Sequence, residues 1–332
     1  MLKRPTLRDV LSAKKAISPY LYRTPLYSYP LLNEVVGCEL YVKLERHQPI
    51  GAFKVRGGIN LVSRLSDEER RRGVVCASVG NTGQSLAYAA RLFGVRCVIV
   101  MPVGANPLKE AAIRQWGAEV VFHGSYWNES DRYAAQLAEQ RGYRYVHGGN
   151  EPLLIAGVAT ETLEILEDEP DIEMILVPAG GGSGASGACI VAKSVDPAIQ
   201  VYAVQMEQSP SLYRSWKAGR PSEAPCRSWA EGINSGMPDS LPVEILRDLL
   251  DDFVLVGEDE AWQAVWLYLE KTRNLVEGGG AATLAAAIKI KDRLRGRKVA
   301  IVASGGNPEK VIMERIQEAL AGGPAGLAKP TA

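Results

Sequence analysis

Val74-Val75-Cys76-Ala77-Ser78-Val79-Gly80-Asn81-Thr82-Gly83-Gln84 joins a short β-branched run to a glycine-punctuated turn, and apolar residues then recur three and four apart. The unit repeats downstream. Cys97-Val98-Ile99-Val100-Met101, Glu119-Val120-Val121-Phe122 and Arg144-Tyr145-Val146 read as further strands, with helices predicted near 83–93, 107–116 and 127–141. Strands alternating with amphipathic helices imply a parallel sheet, so this stretch is predicted to be a compact α/β lobe.

A second series follows Asn150. Its expected strands include Met174-Ile175-Leu176-Val177, Val201-Tyr202-Ala203-Val204, Phe253-Val254-Leu255-Val256 and Val299-Ala300-Ile301-Val302. Residues 39–44, Glu-Leu-Tyr-Val-Lys-Leu, also read as a strand, and are expected to pair with this second series although they precede the first. The resulting division is a large lobe of residues 1–60 and 151–321 with a smaller one, 61–150, inserted into it. Residues 322–332 lack periodicity and are rich in glycine, proline and alanine, which predicts a frayed tail.

The 332 residues, 46% of them hydrophobic, are enough for one large core or two modest ones. Lysine plus arginine equals aspartate plus glutamate at 38 each, so charge asks for neither nucleic acid nor an anionic membrane surface, and a small molecule is the expected partner. Cys38, Cys76, Cys97, Cys189 and Cys226 have no metal-ligand spacing and are expected to be reduced thiols, most of them core residues. No stretch is apolar enough for a signal peptide or a membrane span, which predicts a soluble cytoplasmic protein.

Three glycine-rich segments each follow a strand: Ser78 to Gln84, Pro178-Ala179-Gly180-Gly181-Gly182-Ser183-Gly184, and Ala303-Ser304-Gly305-Gly306-Asn307. Loops at the carboxyl ends of parallel strands are where such sheets bind ligands, and the helix amino-termini there present free N–H groups to anions. The three are expected to converge on one cleft, with 180–184 as the phosphate cradle. A dinucleotide fingerprint belongs in the first β–α turn with an acid about 20 positions on, and neither condition holds; a GxxxxGK[ST] loop is absent too. Upstream, Lys54 opens a predicted helix between Gly51 and Gly57-Gly58. Glycine inside a helix costs roughly 0.5–1 kcal/mol against alanine, so the pair implies a very close neighbour. A helix amino-terminus also supplies the positive end of a dipole, which suits a lysine that must form an imine.

Gly51-Ala52-Phe53-Lys54-Val55-Arg56-Gly57, Ser78 to Gly83, Pro178 to Gly184, Glu277-Gly278-Gly279-Gly280-Ala281-Ala282 and Ser304-Gly305-Gly306-Asn307 together resemble the successive motifs of fold-type II pyridoxal-5′-phosphate (PLP) enzymes. The nearest pattern is the threonine/serine dehydratase and serine racemase branch, and it spans about residues 5 to 320. The resemblance implies a two-lobed, tryptophan synthase β-like α/β fold, each lobe a mostly parallel sheet covered by helices. It implies that Lys54 carries PLP and shuttles the Cα proton, with Phe53 against the ring, Gly232 beside it and Asn81 on the 3′-oxygen. Gly180, Gly181, Gly182, Ser183 and Gly184 would cradle the phosphate, and Ser304 would face the ring nitrogen. Ser78, Asn81 and Thr82 would grip the substrate carboxylate. Glu277 would tune the ring, or alternatively cap the helix that follows it.

The implied reaction is β-elimination of water from a small hydroxy-amino acid such as L-threonine or L-serine, giving a 2-oxo acid and ammonia. Gly80-Asn81-Thr82-Gly83 is also similar to cysteine synthases and threonine synthases, which keeps a β-replacement synthase as the alternative. Val79 stands where racemases place a second acid/base, and a hydrocarbon cannot transfer a proton, so racemisation is disfavoured. Gln205 to Ser211 offers only Glu207, so no metal site is expected. Relatives of this branch imply a homo-oligomer, a dimer or tetramer.

Overall fold

A computed structural model describes residues 2–125 and 127–321. The expected tail, 322–332, lies outside the described residues. Among the described residues ten strands form two sheets: β1 (Leu26–Ser28), β2 (Glu39–Leu44), β3 (Val74–Ala77), β4 (Cys97–Met101), β5 (Glu119–Phe122), β6 (Arg144–Tyr145), β7 (Met174–Pro178), β8 (Gln200–Met206), β9 (Asp252–Val256) and β10 (Lys298–Ala303). The six-stranded sheet has the order β1-β2-β10-β7-β8-β9, and the four-stranded sheet β5-β4-β3-β6. All pairs are parallel except β1 with β2. Strand β2 lies beside β10, Glu39 opposite Lys298 through Leu44 opposite Ala303.

Both faces of the large sheet are covered, and the strands are accordingly almost continuous apolar runs. Alternate residues of one strand enter different cores because side chains point to opposite faces with period two. Val299, Ile301 and Ala303 join Leu40, Val42, Leu176 and Val204 under helices Glu258–Thr272 and Gly278–Lys289. Ala300 and Val302 join Ile175, Val177, Val201 and Ala203 under helices Thr160–Asp168, Ser183–Val195 and Ser240–Leu249. In the small sheet Val74, Cys76, Ile99 and Met101 face helices Val55–Val62 and Asn81–Leu92, while Val75, Ala77, Val98 and Val100 face helix Trp127–Arg141.

The close neighbour that Gly57-Gly58 imply is the protein itself. A Cβ on Gly58 would stand 2.3 Å from Ser85 Oγ, and one on Gly57 3.0 Å from the Leu154 carbonyl oxygen. Helix Val55–Val62 is thus wedged between helices Asn81–Leu92 and Pro152–Val158, which fixes the direction in which Lys54, at its N-cap, can point. Among the described residues no helix is long and apolar enough to cross a membrane.

Candidate active site

The turns after β3, β7 and β10 meet at one cavity of about 430 Å³. Its wall contains Phe53, Lys54, Ser78, Asn81, Thr82, Gly180 to Gly184, Gly232, Glu277 and Ser304, so the residues to which the resemblance gave a cofactor or substrate role reach the same space.

Lys54 is placed by backbone contacts with the β10 turn. The Phe53 amide donates to the Ser304 carbonyl at 3.0 Å, and the Gly306 amide to the Gly51 carbonyl at 2.8 Å. The Lys54 carbonyl accepts from Ser85 Oγ at 2.6 Å. Its Nζ donates to Ser183 Oγ at 2.7 Å, at the start of helix Ser183–Val195. Burial, only partly offset by the distant charges of Glu161 and Glu277, pushes the amine down to about 8, so a useful fraction is uncharged near neutral pH. The Phe53 ring lies against Gly184, where a Cβ would come within 3.2 Å of its edge.

The 180–184 turn has the shape a phosphate needs. A Cβ on Gly181 would meet nothing within 4 Å, so this position opens onto the cavity. Gly182 has φ +94°, a conformation that glycine tolerates without strain. Gly180 is packed on the Gly232 carbonyl oxygen, 2.9 Å from its would-be Cβ, which brings the 230–233 segment beside the cradle.

The β3 turn is organised differently from the sequence expectation. Ser78 Oγ accepts from the amides of Gly83 at 2.8 Å and Gly80 at 3.2 Å, so this hydroxyl is used to shape the loop. The amides of Asn81 and Thr82, in the first turn of their helix, have no hydrogen-bond partner among the described residues and remain available to an anion. Asn81 Nδ2 donates to Glu277 Oε1 at 2.9 Å and Oε2 at 3.1 Å, while its Oδ1 accepts from Asn307 Nδ2 at 2.8 Å. Asn307 donates on to the Ile50 carbonyl at 2.9 Å, which ties the β3 and β10 turns to the segment that leads into Lys54.

Glu277 occupies the N-cap of helix Gly278–Lys289 but makes no capping bond; the Gly278 amide donates to Glu309 Oε2 at 3.0 Å. Glu277 therefore faces the cavity, and burial raises its carboxyl above the ordinary range despite the Asn81 bond. Glu309 carries no sequence signal, being a lone acid beyond the SGGN run. Burial, with the Glu277 charge adding to it, pushes its carboxyl up to about 7. The folded protein thus holds a proton that the unfolded chain has released, so stability falls as pH rises from the ordinary glutamate range through about 7. Glu309→Gln keeps an oxygen for the Gly278 amide and removes the charge. Its stability relative to the unsubstituted protein is expected to grow by about 3 kcal/mol between about pH 5 and pH 8 in denaturant titrations. A pH-independent difference would mean that this carboxyl titrates normally.

Two further residues escaped the sequence reading. Four cysteines are buried, as expected of most of them, and Cys226 is the exposed one; it lines the cavity and its thiol donates to the Asn234 carbonyl at 3.2 Å. Lys109 reaches across the cavity to an ion pair with Glu231, joining helix Pro107–Arg114 of the small sheet to the 231–233 turn of the large one.

A lysine with a depressed pKa, beside a glycine cradle at a helix amino-terminus and between two parallel α/β layers, defines an enzyme that anchors a phosphorylated aldehyde on an amine. Residues 17–305 match the family described as pyridoxal-phosphate dependent enzyme, and the chain belongs to that family. It is 40% identical to the L-threonine ammonia-lyase of Thermotoga maritima over 94% of this chain and 78% of that one. It is 34% identical to the catabolic L-threonine dehydratase TdcB of Escherichia coli K12, covering 90% of this chain and 92% of that protein. The crystal structure of serine racemase from Dictyostelium discoideum superposes with a TM-score of 0.86 at 36% identity, over 91% of this chain and 98% of that one. The fold is that of the fold-type II members, and the cofactor is PLP. The residues present fit it: an open glycine turn under a helix amino-terminus for the phosphate, an aromatic ring beside the lysine, and a buried serine at the far end.

Proposed function

We propose that the chain is an ammonia-lyase of the threonine/serine dehydratase type. It eliminates the β-hydroxyl of a small hydroxy-amino acid such as L-threonine or L-serine, and water lost in the elimination is regained on hydrolysis to a 2-oxo acid and ammonia. The observation that carries this reading is the Lys54 amine, held toward the cradle by Ser183 and largely desolvated. The names of the ammonia-lyase and dehydratase relatives support it.

When bound, PLP supplies an electron sink that makes the Cα proton of an attached amino acid removable. The protein supplies position and proton transfer. Gly180 to Gly184 and the first-turn amides of helix Ser183–Val195 hold the phosphate. Phe53 and the Gly232 backbone would flank the ring, with Asn81 and Glu277 toward its edge and Ser304 toward its nitrogen. A hydroxyl there does not force that nitrogen to stay protonated, which favours elimination over deeper carbanion chemistry. The unpaired main-chain amides of Asn81 and Thr82, with the Thr82 hydroxyl, would bind the substrate carboxylate in a loop that Ser78 shapes. Lys54 Nζ, lowered toward neutrality, takes the Cα proton.

In this reading residues 1–60 with 151–321 form the PLP-binding lobe and 61–150 the inserted lobe that brings the asparagine loop to it. We also propose a cytoplasmic homo-oligomer. Purified protein loaded with PLP is incubated with L-threonine and with L-serine, and ammonia and 2-oxo acid are assayed without any added nucleophile. Formation of 2-oxobutyrate or pyruvate is the expected result. No ammonia from either, with cysteine formed from O-acetylserine and sulfide, would replace the lyase by the synthase alternative that Thr82 keeps open.

A further inference from the structure

Once the cradle, the ring-flanking residues and the carboxylate loop are assigned, one wall of the cavity is left. It consists of Trp127 and Asn128, Gly148 and Gly149, and the 234–239 segment, and it is the wall available to the substrate's side chain. Among the described residues the carboxylate on this wall is that of Asp239, whose polar partner is His147; Lys109, at the margin, is neutralised by Glu231.

Asp239 is held there by three features. A Cβ on Gly149 would lie 1.8 Å from Asp239 Oδ2, so the carboxylate occupies space that exists only because position 149 has no side chain. His147 Nε2 stands 3.3 Å from Asp239 Oδ1, while its Nδ1 accepts from the amides of Gly149 and Asn150, each at 3.3 Å, which fixes the proton on Nε2. The Asn150 Oδ1 accepts from the Leu241 amide at 3.0 Å, pinning the start of helix Ser240–Leu249 against the same turn. Gly148, next in the turn, comes within 3.9 Å of the Thr82 methyl when given a Cβ, so this wall abuts the carboxylate loop.

We propose that Asp239, seated over Gly149 and oriented by His147, determines side-chain specificity, accepting a hydrogen bond from an uncharged β-hydroxyl and rejecting amino acids whose side chain carries a carboxylate. The inference rests on the lyase reading only for the direction in which the substrate lies. A fixed acid in a cavity of low dielectric repels a second anion far more strongly than it would in water. Burial raises the Asp239 carboxyl and His147 pulls it back, which is the behaviour of an acid kept in the cavity wall instead of the solvent.

The test compares L-aspartate with its uncharged isostere L-asparagine, neither of which carries a β-hydroxyl, by titrating the change each causes in the absorbance of the PLP-loaded protein. The unsubstituted protein is expected to bind asparagine at least about tenfold more tightly than aspartate, and Asp239→Asn to bring that ratio close to one. Gly149→Ala, which must displace the carboxylate, is expected to reduce the ratio too. A ratio near one in the unsubstituted protein, or one that Asp239→Asn leaves unchanged while the PLP absorbance shows an intact site, overturns the proposal. Because this readout is binding, it is distinct from the failure of the lyase reading, which would show as absent ammonia release with the asparagine preference intact.

Discussion

Replacing Lys54 with alanine will remove turnover, by about 10³-fold or more, and with it the borohydride-sensitive absorbance of the PLP-loaded protein. The size of the effect follows from the geometry. Lys54 and Lys109 are the lysines of the cavity wall among the described residues, and Lys109 is already committed to Glu231. No second amine can take over. Lys54→Arg is expected to fail equally, because a guanidinium keeps its proton at any working pH and cannot serve as the base. The apo form should remain folded, since removing a desolvated amine that makes one side-chain bond, to Ser183, relieves as much as it costs. Retention of the reducible absorbance in Lys54→Ala would place the cofactor on another residue.

The largest loss of stability is expected two residues further on. Arg56 is fully buried, and both its flanks are engaged. Nε and Nη2 donate to Glu45 at 2.8 Å each, while Nη1 and Nη2 donate to Glu164 at 2.7 and 2.8 Å. Thr160 and Thr24 complete its partners at 3.2 and 3.3 Å, and the buried Lys43 adds a second cation on Glu164 at 2.8 Å. Removing one member of such a group leaves buried carboxylates uncompensated and costs about 3–5 kcal/mol. Arg56→Ala should therefore lower stability by that order in denaturant unfolding, and Arg56→Lys should recover only part of it, since an ammonium cannot form two forks.

The pH dependence has a definite sign. Burial acts to raise Glu164, but Arg56 and Lys43 outweigh it and hold this carboxyl down to about 2. Its contribution is fully present above the ordinary glutamate range and is lost as pH falls toward 2. The gap between Arg56→Ala and the unsubstituted protein should thus narrow on acidification. A loss under about 1 kcal/mol would show that water replaces the guanidinium at little cost. Because Arg56 lies in the first turn after Lys54, partly rescued variants should also show an altered kcat.

The alternating strands and helices were legible because each depends on residues close in sequence. The runs at 74–77, 97–101 and 119–122 carry β-branched or apolar residues between clear turns, and they form β3, β4 and β5. Strand β1, Leu-Tyr-Ser, was not legible. Three residues carry no period, and its place is set by pairing with Tyr41 to Lys43 across the sheet edge. The run expected at 144–146 ends one residue earlier, at Tyr145, where the pairing with β3 stops.

What the sequence determined by itself was the alternation of elements, the lysine-containing Gly51 to Gly57 motif and the glycine turns. Steric rules for glycine and the periodicity of apolar side chains act over a few residues, and need no partner from elsewhere. Only the tertiary structure decided how charged and polar groups are matched. Arg56 with Glu164, Asn81 with Glu277, Gly278 with Glu309 and His147 with Asp239 join positions 31 to 196 residues apart or on different sheets. Electrostatic and hydrogen-bond partners depend on distance in space and on the loss of water, neither of which leaves a periodic mark on the chain.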